Sequence, residues 1–109
     1  MGISYKVLGQ NNPTANTLTT LYTTPGGANT VVSTISICNL DANASNFSIA
    51  VRPSGDAINN KHYLNYRTPL PGNDTITATL GITLAATDVV SVNASTSLIS
   101  FSLFGSEIT

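Results

Sequence analysis

Asp74-Thr75-Ile76-Thr77-Ala78-Thr79-Leu80-Gly81-Ile82-Thr83-Leu84 is the stretch that decides the fold. Ile76, Ala78, Leu80, Ile82 and Leu84 fall on one parity; Thr75, Thr77, Thr79 and Thr83 fall on the other, with Gly81 as the only blank. Side chains on a strand alternate between its two faces, so this period of two predicts a half-buried antiparallel strand. Its outer face is threonine where Lys and Glu are usual. A polar but uncharged face suits contact with another protein, because burying hydroxyls costs less than burying charges.

The same pattern recurs on either side, broken by turn residues. A short apolar segment, Tyr5 to Leu8, stops at Gly9, Asn11, Asn12 and Pro13, so residues 1–16 read as an arm or an edge strand. Leu18 to Tyr22 reads as a core strand, closed by Pro25-Gly26-Gly27. Thr30 to Asn39 follows, with Val31, Ile35 and Ile37 assigned to one face, and Leu40 to Asn43 turns the chain. Phe47, Ile49 and Val51 alternate with Ser48, Ala50 and Arg52. After a loop, Lys61 to Arg67 reads as a strand with Leu64 and Tyr66 on one side, ended by Pro69, Pro71, Gly72 and Asn73. Val90 and Val92, then Ile99, Phe101 and Leu103, supply the last two strands. Roughly seven or eight short strands with regular turn signals predict an all-β fold, an antiparallel two-sheet β-sandwich of jelly-roll type. Residues 17–109 form the sandwich in this reading.

Composition narrows the function. The chain has 109 residues, enough for one domain with a core. Only 8% are charged, against about 25% in ordinary soluble domains, and the net charge is -1. Binding driven by phosphate neutralisation is therefore not expected, and nucleic acid is not a predicted partner. Serine and threonine fill 28 positions and asparagine 12, an alphabet of strands and turns with few strong helix formers. No run approaches the roughly 18 apolar residues of a membrane helix, so no membrane partner is expected. The first residues lack the apolar core of a signal peptide, which predicts synthesis in a cytoplasm without a recognisable export signal. Cys38, alone in an apolar run, reads as a small buried hydrophobe.

The chain is poor in reactive groups. His62 is the single histidine, and no Gly-x-Ser-x-Gly elbow occurs. His62 reads as packed or hydrogen-bonded on a strand. Asp41, Asp56, Asp74 and Asp88 sit at turns or strand entries, where an Asp side chain caps the backbone. The spacing from Asp41 faintly matches a calcium loop, but Asn46 stands where Gly is needed and Arg52 where Glu is needed. Four Asn-x-Ser/Thr sequons begin at Asn43, Asn46, Asn73 and Asn93, a number this composition produces by chance. No enzyme, cofactor or metal site is expected. Arg52, Lys61, His62 and Arg67 lie within sixteen residues. They read as a solvated hairpin base or as a docking patch for a neighbouring subunit, with Tyr63, Tyr66 and the asparagines as a weaker sugar-platform reading. With Thr75, Thr77 and Thr79 they make up the candidate subunit contacts, and Arg52 or Arg67 is the anchor expected at a subunit boundary.

Two blocks carry a resemblance. The first joins Cys38-Asn39, Ile49 to Gly55 and Asn60 to Leu64; the second joins Asn73 to Ile76 and Thr79 to Asp88, and Leu103 to Glu107 closes the chain. Together they resemble small β-sandwich virion proteins of tailed bacteriophages, including cyanophages, from about residue 21 onward. The resemblance implies a structural component of the particle. Such proteins sit on heads as decoration (cement) proteins, often as trimers, or on tails and baseplates. The expectation is a homotrimer bound to the major capsid protein on the virion surface; the alternative is a tail, baseplate or fibre module that recognises host glycans.

Overall fold

The computed structural model describes residues 2–109, with the backbone alone for Leu80. These residues form eight strands: β1 (Ile3–Asn11), β2 (Thr19–Thr23), β3 (Asn29–Asn39), β4 (Ser45–Arg52), β5 (Tyr63–Leu70), β6 (Thr75–Leu84), β7 (Val89–Ala94) and β8 (Ile99–Ile108). One sheet runs β1-β8-β3-β6 and the other β2-β7-β4-β5. Every pairing is antiparallel. The strand order is that of a jelly roll: consecutive strands cross between the two packed sheets, except β4 and β5, which pair within one.

The core lies between the sheets. Ile35, Ile37, Phe101 and Leu103 from the first sheet meet Phe47, Ile49, Val90 and Val92 from the second, all buried. Phe47 and Phe101 meet edge-on, with ring centroids 6.4 Å apart. Ile76, Ala78 and Ile82 pack on this core but stay partly exposed, because β6 is an edge strand covered on one side only. The side chain of Leu80 lies outside the described residues.

Several sequence expectations change. Val31 does not share a face with Ile35 and Ile37. A bulge at Ser33 shifts the register between Val32 and Thr34, so Val32 is fully buried and Val31 turns outward. An extra residue moves every later side chain across the sheet, which counting by twos cannot reveal. Cys38 is half-buried on the outer face between Ser100 and Thr75, since Ile37 and Asn39 hold the inner positions. Lys61 and His62 belong to a 3-10 turn, Asn60–His62, and β5 begins at Tyr63. Leu64 and Tyr66 are exposed and add nothing to the core. β5 continues through Pro69 because it is an edge strand, where a missing N–H breaks no ladder bond.

Three of the four turn aspartates, Asp41, Asp74 and Asp88, accept from backbone N–H groups as expected, whereas Asp56 is held through its backbone carbonyl. Asp88 accepts from the Ser54 N–H and the Ala85 N–H at 2.9 Å each, tying the loop after β4 to the β6–β7 turn. Asp41 accepts from the Asn43 N–H.

One polar group bridges the two sheets near β1. The Tyr22 hydroxyl on β2 donates to Glu107 Oε2 on β8 at 2.5 Å and lies 2.8 Å from the Thr30 hydroxyl on β3. Lys6 on β1 approaches Glu107 Oε1 at 2.5 Å. The Lys6 ammonium, and then the Tyr22 hydroxyl, hold the Glu107 carboxyl below its ordinary 4.5. Burial, then the bond to Glu107, pushes the Tyr22 phenol up to about 12 from an ordinary 10.0. A folded chain that keeps this proton while the unfolded chain releases it loses stability as pH rises from 10 to 12. Glu107 acts at the other end of the scale: its stabilisation is lost as pH falls below 4.5 and through its lowered value. Melting temperatures across this range are expected to show an alkaline decline that Tyr22→Phe reduces. The same alkaline slope in both proteins would place its origin elsewhere.

Candidate functional site

Two surfaces stand out, on opposite sides of the sandwich. The first is the outer face of the β1-β8-β3-β6 sheet. Registers place Ile3 beside Ile108, Tyr5 beside Ser106 and Val7 beside Phe104, with Val31 opposite Ser106 on the far side of β8. Tyr5 is 82% exposed, Ile3 56% and Val7 49%, an apolar patch at one end of the sheet. The other end is hydroxyl-rich. Thr79 lies opposite Thr34 and Thr77 opposite Ser36, with Ser102 and Ser100 on the next strand. Thr75, Thr77 and Thr79 are all exposed.

Among the described residues, no Asp, Glu, Lys or Arg falls on this outward parity. Lys6 and Glu107 take the opposite parity and neutralise each other. The face therefore joins an apolar end to a hydroxyl end without a charge. Both ends can be desolvated at low cost, which is what a protein-binding surface requires.

The second surface is a hollow of about 370 Å³ on the outer face of the β2-β7-β4-β5 sheet. Ser48 on β4 and Asn93 on β7 are cross-strand neighbours on that face, and Asn46 lies two residues before Ser48. Tyr63, Tyr66 and Arg67 come from β5 and Asn16 from the segment before β2. The tyrosines meet edge-on, ring centroids 5.0 Å apart, and the Arg67 guanidinium lies 5.2 Å above the Tyr66 ring. Asn16 and Arg67 both adopt left-handed backbone, φ 57° and 50°. The Asn16 N–H donates to Ala94 O, and the Arg67 N–H to Ser48 Oγ.

The basic cluster divides. The Arg52 Nε donates to Ser91 Oγ at 3.1 Å and its Nη1 to Asp56 O at 2.9 Å, so this guanidinium fastens its own loop. His62 is 5% exposed; its Nδ1 accepts from the Asn59 N–H, which leaves the ring proton on Nε2, where no partner stands. Its ring is packed inside the chain. Lys61 is exposed, and Arg67 lines the hollow. Of the four, Lys61 and Arg67 remain open to a partner. Among the described residues no three His, Cys, Asp or Glu side chains group as metal ligands. No helix is long and apolar enough to cross a membrane.

The assembly of the hollow leaves no local trace in the sequence. Its three asparagines are thirty and forty-seven positions apart in the chain and sit in different strand contexts, so only the fold brings them together. No protein-family model matches the chain, and neither does any curated protein or solved structure.

Proposed function

We propose that the protein is a structural component of a tailed-phage virion, a decoration protein that seats as a homotrimer on the lattice of the major capsid protein. The observation that carries this reading is the charge-free outer face of the β1-β8-β3-β6 sheet. Jelly rolls also serve as lectins and enzymes, so the fold alone does not select a function. The face favours docking because an extended uncharged surface is what a subunit repeated over a lattice must bury. Arg52, fastened to its own loop, is not a contact in this reading; Thr75, Thr77 and Thr79 are.

Two measurements test it. Protein per particle is expected at hundreds of copies, the stoichiometry of a capsid lattice. A few copies would assign the protein to the tail or baseplate and end the decoration reading. Thr77→Lys and Tyr5→Lys place a cation on the exposed face, so each should change folding stability by no more than about 0.5 kcal/mol. Particle incorporation should fall about tenfold or more, because a factor of ten needs only ~1.4 kcal/mol and an unpaired charge in an interface costs more than that. Normal incorporation of both variants would move the docking surface elsewhere.

A further inference from the structure

The hollow on the opposite face holds groups that the fold itself leaves unused. Among the described residues, the side-chain amides of Asn16, Asn46 and Asn93 make no intramolecular hydrogen bond; Asn16 and Asn46 are held through their backbones. Each amide carries two donors and an acceptor, so the hollow presents a dense set of neutral polar groups. Arg67 has no carboxylate partner, and no acidic side chain lines the space. Its guanidinium is steadied by the Tyr66 ring, a cation–π contact that leaves the N–H fork free. Tyr66 is 60% exposed, so an apolar ring surface remains beside the amides.

Two of the five non-glycine residues with left-handed backbone, Arg67 and Asn16, line the hollow; Ser54, Asn73 and Thr87 lie elsewhere. Arg67 is not a residue that favours the left-handed region, yet the Ser48 hydroxyl holds it there. Such conformations cost of order 1–3 kcal/mol and cluster where a side chain must be aimed. Asn16, on the other rim, is left-handed too.

One cation, three free amides and an aromatic pair match a ligand with one negative charge, several hydroxyls and an apolar ring face. We propose that this hollow binds an acidic sugar unit, a uronic- or sialic-acid residue of a surface glycan. The Arg67 fork takes the carboxylate through paired charge-assisted bonds. Asn46 and Asn93 take ring hydroxyls, and the tyrosine pair contacts the C–H face. A nucleic-acid backbone is disfavoured because repeated phosphates need several cations and the hollow has one. The volume, about 370 Å³, lies at the lower end of the roughly 300–1,000 Å³ typical of ligand pockets, suited to a single unit of a chain. The inference is independent of the capsid reading, since it rests on the other sheet.

The test is an amide-resolved NMR titration of the full chain with glucuronic acid and N-acetylneuraminic acid, beside glucose and acetate. Saturable shifts are expected at Asn46, Ser48, Tyr66, Arg67 and Asn93 with at least one of the acids. Glucose should shift the same set about tenfold more weakly, the difference a charge-assisted bond confers, and acetate should not saturate. Arg67→Gln should lower affinity for the acid to the glucose level, and Tyr66→Ala should weaken both sugars. Three results would overturn the assignment: acetate binding as well as the sugar acids, Arg67→Gln keeping full affinity, or no saturable shift with either acid.

Discussion

Replacing Asn39 by leucine should cost roughly 3–5 kcal/mol and lower the melting temperature by about 15–25 °C. Asn39 is 1% exposed at the end of β3. Its Nδ2 donates to Asn43 O at 3.0 Å, Pro71 O at 3.2 Å and Leu70 O at 3.3 Å, and its Oδ1 accepts from the Asp41 N–H at 3.0 Å. Leucine fills nearly the same volume but offers no hydrogen bond. Three carbonyls and one N–H at the corner joining β3–β4 to β5–β6 would lose their partner, and an abandoned buried group costs more than a made bond contributes. Thermal unfolding checks this. A variant that melts within about 5 °C of the parent would mean that water replaces the amide at every one of these groups.

The second large effect lies at the same corner. Gly72→Ala places a methyl 2.0 Å from Ala42 O, 2.3 Å from Ala42 C and 2.9 Å from Asn43 N. All three are backbone atoms, so no side chain can swing aside. The β3–β4 loop would have to retreat, and with it the bond from the Asn73 N–H to Asp41 O, 2.8 Å. About 3 kcal/mol of destabilisation is expected in urea unfolding. Gly26→Ala is the control, since nothing lies within 4 Å of its added methyl. Because Asn39 and Gly72 hold one corner, the double variant should lose less than the sum, by about 1 kcal/mol or more. Strict additivity would show that the two residues support separate contacts.

How far the sequence could be read depended on how local each cause was. The alternation from Thr75 to Leu84 identifies a strand and its two faces, because the period of two is a property of neighbours. It cannot place β6 at the sheet edge, a fact set by which strands pair beside it. The face of Val31 is not legible because one bulge residue, Ser33, is invisible to parity. Lys61 and His62 look like strand in the sequence because the bonds that make their turn, from the Asn59 N–H to His62 Nδ1 and from the His62 N–H to Asn59 O, leave no periodic trace. The candidate surfaces divide the same way. Threonines of the docking face were legible one strand at a time. Asn16, Asn46 and Asn93 become neighbours only after β4, β5 and β7 are side by side, so the hollow had no signal in the chain beyond an abundance of asparagine.

The position of β8 between β1 and β3 also has a consequence in time. During synthesis β1 is made well before the strand it must pair with, which ends at Ile108. At the usual elongation speed of ~5–20 residues per second, β1 waits roughly 5–20 s for its neighbour. β3 waits too, with one edge open, and the 8% charge gives these segments little repulsion against copies on adjacent ribosomes. A jelly roll whose last strand fills the middle of a sheet cannot complete that sheet until this strand has been made. Until β8 closes that gap, the open edges of β1 and β3 are where copies of the chain can pair with one another.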